Sequence, residues 1–372
     1  MTKYLFDLPL RQKIGQLFFI GIPGPEADEP TRSLLTEISP GGICLFARNI
    51  REAAQTRKLN DYLQNLLPVM PFLSIDQEGG TVDRLRRIVT PMAAASRVRT
   101  VDQAERMASI VGELISLLGF SMDFAPVVDV VDENRLVPSN GLFSRPFGKN
   151  KDEVVELAGR FLEVLQQSGP IGCLKHFPGL GAASVDSHEE LPVVPISREE
   201  LYENDLFPYR RLIDGGNVRS VMAAHVSFPT VDLQETDRDG KLLPSSLSYN
   251  FITILLREQL GYDGLVITDD LEMGAIVKNY GVGEACKMAL SAGVDMLAIC
   301  ADPGAIREGF DAVCDAAGSG EISAERIDRS LGRIGSLKAR LTSSKPFDSD
   351  RIAELSAEIA AFNDGLAAQT GG

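Results

Sequence analysis

Short apolar runs closed by Gly or Pro recur along the chain, and each is followed by a stretch whose apolar residues stand three or four apart. That repetition is the pattern of successive βα units. The runs are QLFFIGI (16–22), GGICLF (41–46), PFLSID (71–76), SMDFAPVVDV (121–130), IGCLKH (171–176), VRSVMAAHV (218–226), GLVITD (264–269) and VDMLAIC (294–300). They predict eight strands. Their apolar and β-branched continuity, without strict alternation, suits parallel strands covered on both faces.

The helices between them are equally readable. Between Asn150 and Gly169, Val154, Ala158, Phe161, Leu162 and Leu165 share one helical face, and Gly169-Pro170 stops the run. Ser248 is placed to cap a helix from Tyr249 to Leu260, and Ser323 to cap one whose Ile327, Leu331, Ile334 and Leu341 align. Eight βα units with right-handed crossovers close most naturally as an α/β protein of the (β/α)8 barrel type, with an open doubly wound sheet as the alternative. Residues 1–341 are read as this single domain. Residues 342–372 are read as a linker, SSKPFDSD, and a C-terminal amphipathic helix over 351–363.

Composition narrows the picture further. Of the 372 residues, 44% are hydrophobic and 24% charged, which excludes a disordered, collagenous or coiled-coil chain. The 37 Lys and Arg stand against 52 Asp and Glu, and the resulting charge of −15 argues against nucleic acid and anionic lipid as partners. Residues 1–22 hold no apolar run approaching the roughly 20 residues of a membrane span and no signal-like core with a cleavage site, so a cytoplasmic protein is expected. Cys44, Cys173, Cys286, Cys300 and Cys314 are odd in number and scattered, without a CxxC pair, which predicts free thiols and no Cys-based zinc site. No Trp is present, which argues against a long stacking groove for polysaccharide.

In a barrel the C-terminal strand ends carry the site. Here they present Asp76, Asp129, Lys175, His176, His225, Asp269 and Asp270, and the loop after the fifth strand adds Asp186 and His188. Each has an ordinary structural alternative. A strand-end Asp such as Asp270 is commonly an N-cap, His225 after an apolar strand is commonly a structural hydrogen-bonder, and Lys175 with His176 would pass for a solvated pair. Their convergence on one face favours chemistry. Metal-assisted hydrolysis on a barrel commonly opens with ligands on the first strand, and QLFFIGI has none. Glycoside hydrolysis needs a carboxylate nucleophile, which Asp269 supplies, and a proton donor, for which His188 or a carboxylate is available.

The segments SIDQEGGTVDRL, SRPFG, KHFPGLGAASVDSHEELPVV and VITDDLEM resemble, in this order, the signature segments of glycoside hydrolase family 3, in particular its single-domain bacterial β-N-acetylglucosaminidases. The resemblance implies a barrel without metal or cofactor, acting on a small saccharide substrate derived from cell-wall N-acetylglucosaminides. It also implies Asp269 as nucleophile, His188 as general acid/base paired with Asp186, and Asp76, Arg84, Arg145, Lys175 and His176 as sugar-binding residues.

A His suits the acid/base role because it gives and takes a proton near neutral pH, and Asp186, two residues before it, is placed to orient it. The Gly, Ala and Ser content of 179–187 predicts a mobile loop that closes over substrate. The chain departs from the family pattern at Leu180, where a second His is usual, at Ala182 and Ala183, and at Thr81. Three readings follow: a retaining exo-β-N-acetylglucosaminidase, a phosphorylase or transglycosylase on the same scaffold, and a catalytically silent amino-sugar-binding barrel.

Overall fold

The computed structural model describes residues 3–135, 141–187, 189–342 and 344–370. Eight parallel strands close into a barrel: β1 (Phe18–Gly21), β2 (Gly42–Leu45), β3 (Phe72–Ile75), β4 (Met122–Asp123), β5 (Ile171–Phe177), β6 (Ser220–Ala223), β7 (Leu265–Asp270) and β8 (Met296–Ile299). Each strand pairs with its neighbour in sequence, and β1 closes on β8 with Phe18 opposite Leu297. The open sheet is thereby excluded. Among the described residues no helix is long and apolar enough to cross a membrane.

Interior packing follows from the residue types. The ring of Phe19 stacks on Phe72 at 6.0 Å between centroids and meets Phe124 edge-on at 5.4 Å. Gly42 lies opposite Phe19 in the ladder, and a Cβ there would sit 2.3 Å from the Phe19 ring. The missing side chain on β2 is the space the aromatic fills. The helix predicted after Asn150 runs Lys151–Gln167, capped by the Asn150 side chain, which accepts from the Asp152 and Glu153 N–H groups. Ser323 caps Ala324–Lys338 in the same way, accepting from Arg326 N. The expected helix at 249–260 is Asn250–Gln259, with π-type hydrogen bonds, and the Ser248 hydroxyl accepts from Phe251 N.

Two strand expectations need correction. The run 121–130 forms barrel strand only at Met122–Asp123, because Pro126 has no N–H to give to a ladder. Its backbone still follows β5: Cys173 N donates to Ala125 O at 2.8 Å, and Val128 N to Lys175 O at 2.8 Å. This irregular continuation carries Asp129 to the side of His176. Likewise 218–226 is strand only over Ser220–Ala223, beyond which Ala224 N still reaches Phe177 O at 2.7 Å.

The C-terminal helix spans Ser349–Thr370, longer than the expected 351–363, and buries Ile352, Leu355, Ile359 and Leu366 along one stripe. It packs on the helix Val101–Leu117, with Arg351 paired to Glu113 at 2.8 Å and Glu358 paired to Arg106 at 2.7 Å. It also grips the segment behind the motif SIDQEGGTVDRL. Ser356 Oγ accepts from Thr90 N at 2.8 Å, and Asn363 binds Ala93 N at 3.0 Å and Pro91 O at 2.9 Å. That segment holds the motif's turn through Met92 N to Asp83 Oδ2 at 2.8 Å and Gly80 N to Met92 O at 2.9 Å.

Replacing Asn363 by Ala leaves both backbone groups of the 91–93 segment without their partner, and the expected cost is about 1–2 kcal/mol of stability. Urea unfolding of the two proteins side by side measures it. An unchanged midpoint would mean the helix merely lies against the barrel.

Candidate active site

The motif SIDQEGGTVDRL leaves β3 and folds back as a short hairpin, Gln77–Gly79 against Val82–Asp83. Gly79 has φ +88° and its Cβ would lie 2.3 Å from Ala93 O, so only glycine fits the turn. Alternation along the extended segment separates two roles. Gln77 points into the hairpin, where its amide bonds Asp83 Oδ1 at 2.9 Å and accepts from Arg84 N and Leu85 N. Asp76 and Glu78, one residue to either side, reach Lys175 near the end of β5 and two arginines from outside it.

Those cations form a compact charge cluster. Lys175, at the end of β5, places Nζ 2.7 Å from Asp76 Oδ1 and 2.6 Å from Glu78 Oε1. Arg145 binds Glu78 in bidentate fashion at 2.8 and 2.9 Å, and Arg84 stands 3.4 Å from Asp76 Oδ2. Burial alone would raise the Glu78 carboxyl, but the charges of Arg145 and Lys175, with their hydrogen bonds, outweigh it and hold it well below the usual carboxylate range. Burial likewise opposes the charge of Asp76 and of Lys175, and the ion pairs win in both, lowering Asp76 and raising Lys175. All three keep their charges at neutral pH.

His176 sits beside this cluster, buried. Arg145 donates to its Nε2 at 3.1 Å, and since a guanidinium has no acceptor, Nε2 must accept. The proton therefore belongs to Nδ1, which faces Asp129 Oδ2 at 2.7 Å. Asp129 Oδ1 accepts in turn from Leu180 N at 2.7 Å, so the residue standing where a second His is usual is fixed through its backbone. Close approach there is set by Gly181, whose Cβ would fall 2.0 Å from Val130 O.

Across the barrel mouth, β7 ends in Asp269 and Asp270. Asp269 Oδ1 accepts from Asp270 N at 2.9 Å, and Asp270 Oδ1 accepts from Glu272 N at 3.1 Å. Asp270 thus closes a local turn. The capping role open to it is not the one it plays, since the next helix begins at Gly274 with no side-chain cap. Burial pushes Asp270 up to about 7, helped by the nearby charges of Glu272 and Asp269. Below that pH Asp270 mostly carries its proton. His225, fully buried, bonds Ser246 Oγ at 2.7 Å and the Asp270 carbonyl at 3.1 Å, supporting the strand end from beneath.

A cavity of about 150 Å³ opens between the two groups. Asp76, Arg84, Arg145, Lys175, His176, Asp186 and Asp269 all line it, together with Glu78, Ser187 and Asp270. Its remaining wall is apolar: Phe46, Phe124, Leu142, Leu180, Met222 and the thiols of Cys44 and Cys300. The structure therefore brings seven of the eight sequence-selected residues together. The eighth, His188, lies outside the described residues. Lys175 and His176 are buried and paired, not a solvated pair. Among the described residues no group of three or more His, Cys, Asp or Glu is arranged to hold a metal ion.

Two participants went unselected in the sequence. Glu78 binds both Lys175 and Arg145, and its signal was its position two residues after Asp76 in an extended motif. Asp123 lies fully buried beneath, accepting from Gln77 N at 2.9 Å, and burial pushes it up to about 8, only partly offset by that N–H.

The family model for the glycosyl hydrolase family 3 N-terminal domain matches residues 9–337. The chain belongs to glycoside hydrolase family 3. Beta-hexosaminidase A of Pseudoalteromonas piscicida is 31% identical over 86% of this chain, which spans 56% of that protein's length. A beta-hexosaminidase of Pseudomonas aeruginosa (strain LESB58) is 35% identical over 73% of the chain and 78% of its own. The family 3 β-N-acetylglucosaminidase of Paenibacillus sp. str. FPU-7 superposes with a TM-score of 0.83 at 40% identity, covering 95% of this chain and 69% of that one. The family resemblance read from the four motifs and the closed barrel are both met, and family 3 membership makes this chain a glycoside hydrolase.

The buried Asp123 yields a test of the cluster's electrostatics. Its carboxyl holds a proton in the folded protein up to about 8 but loses it near 3.8 when unfolded, so wild-type stability falls as pH rises through that window. Asp123→Asn cannot ionise. Its stability relative to wild type should improve steadily between pH 5 and pH 8 and level off above. Thermal melts at several pH values that run parallel for the two proteins would refute the assignment.

Proposed function

We propose that this chain is a retaining, exo-acting β-N-acetylglucosaminidase that removes terminal β-linked N-acetylglucosamine, with cell-wall fragments as the natural source. One observation carries the reading: Asp269 at the end of β7 and Asp186 from the loop after β5 open onto one small cavity whose polar wall is a buried cluster of paired charges. A pocket of this size, in place of an open groove, suits one terminal sugar. Fixed charged donors and acceptors on Asp76, Arg84, Arg145, Lys175 and His176 suit its hydroxyls, and the apolar wall suits a methyl-bearing substituent. The relatives and the solved structure named above are hexosaminidases or β-N-acetylglucosaminidases, which supports the same choice.

In this reading Asp269 attacks the anomeric carbon while His188 protonates the departing glycosidic oxygen. His188 then takes a proton from water as that water opens the glycosyl ester, returning Asp269 to its carboxylate. Asp186 accepts from the imidazole and stabilises its charged form. The rigid cluster orients the sugar, and binding energy gathered there is available at the reacting carbon.

Asp269→Ala should lower turnover of an aryl N-acetyl-β-glucosaminide by a factor of roughly 10⁴ or more, since both nucleophile and counter-charge are lost. A variant within tenfold of wild type would remove Asp269 from the role. His188→Ala should be nearly inactive on a chitobiose-type disaccharide and far less impaired on a dinitrophenyl glycoside, whose leaving group needs no proton. Azide should then restore part of the second step. If that dependence on the leaving group appears in Glu189 or Glu190 variants instead, the acid is one of those carboxylates. Products analysed with and without phosphate decide between hydrolysis and phosphorolysis, with free sugar in both expected.

A further inference from the structure

At the opposite end of the barrel, the chain entering β6 and β7 and the helix Ala324–Lys338 line a second, solvent-open cavity of about 520 Å³. Four guanidinium groups line it, those of Arg219, Arg329, Arg333 and Arg340, against the single carboxylate of Asp263. Gly216, Gly264 and Gly332 line it as well, with Asn217 and Ser336. In a chain of net charge −15 this is a local reversal of sign.

The acids nearby do not neutralise it. Asp263 is engaged by Arg333 at 2.7 Å. Asp295, buried beneath, is already held by Arg257 at 2.6 Å, Arg333 at 3.2 Å, the Ser330 hydroxyl and Val266 N. Arg329 has Glu325 one turn away. Arg219 and Arg340 have no acidic side chain in hydrogen-bond reach among the described residues. Burial and the charge of Arg340 both act against protonated Arg219, which is half-buried. Beside it, burial and the charges of Arg257, Arg329 and Arg333 bring Arg326 down to about 10 despite Asp295. Positive charge is crowded here beyond what the protein itself compensates.

We propose that this cavity binds a small, multiply charged oxyanion of the phosphate or phosphate-ester class, gripped by Arg219 and Arg340 with Arg333 and Arg329 at its sides. The planar forks of guanidinium groups match such oxygens in bidentate geometry, and the concave shape and volume fit a small molecule. The site lies at the far end of the barrel from Asp269 and does not depend on the hydrolase reading.

Titration calorimetry of the full chain with pyrophosphate as probe, at low ionic strength, tests it. One saturable event is expected, weakened about tenfold or more in both Arg219→Gln and Arg340→Gln, as loss of a charge-assisted contact implies. Arg340 is exposed, so its variant is expected to fold, and a melt confirms that. Exposed Arg99, remote in sequence, serves as control, and Arg99→Gln should bind as wild type does. No saturable binding up to about 10 mM, weaker than any ordinary ligand site, would overturn the proposal. So would binding left intact in folded Arg340→Gln, which would place the probe elsewhere, for instance on Lys175 and Arg145.

Discussion

A carboxylate buried as deeply as that of Glu78 has to be neutralised where it stands, because removing its partners would leave an isolated charge away from water at a cost of several kcal/mol. Its partners come from two distant stretches of chain: Lys175 at the end of β5, and Arg145 from the segment SRPFG. Neutralising Glu78 therefore fixes the hairpin after β3, the strand end and the intervening segment relative to one another. Arg145 extends the constraint to His176, His176 to Asp129, and Asp129 to the backbone of the 179–187 loop. One electrostatic requirement thus positions most of one wall of the site.

The same logic reaches outward. The hairpin that presents Asp76 and Glu78 is clasped from within by Gln77 and Asp83 and from behind by the 90–93 segment, itself held by Ser356 and Asn363 of the C-terminal helix. Among its described residues the helix contributes no side chain to the cavity. It holds the piece that holds the carboxylates, a arrangement in which rigid geometry is supplied from outside the pocket.

Much of this was legible in the residue pattern. Eight apolar runs with helical stretches between them predicted a barrel, and Asn150, Ser248 and Ser323 predicted helix starts that the structure shows. Where the pattern misled, chemistry that apolar continuity does not encode was at work. SMDFAPVVDV reads as one long strand, yet Pro126 limits regular pairing to two residues. In the site, acid, Lys and His types at strand ends drew notice to the mouth of the barrel, but Glu78 stood three residues past the end of β3, and its partners, 67 and 97 residues away, are adjacent only in the fold. Asp123 reads as an ordinary strand residue; only its burial beneath other charges distinguishes it. Asp270 read as a cap and is a turn residue pushed towards neutrality.

In the proposed mechanism catalysis proceeds through a covalent ester between the sugar and Asp269. An N-acetylglucosamine substrate carries its own rival nucleophile, the acetamido oxygen, and that substrate-assisted route needs no enzyme ester. Incubation with a 5-fluoro N-acetylglucosaminyl fluoride, which slows release of the second step, followed by peptide mapping by mass spectrometry, distinguishes the two. One glycosyl adduct is expected, on the peptide containing VITDDLEM, localised to Asp269. An unlabelled chain that is instead inhibited by a cyclic oxazoline mimic, or an adduct on any other residue, would contradict it.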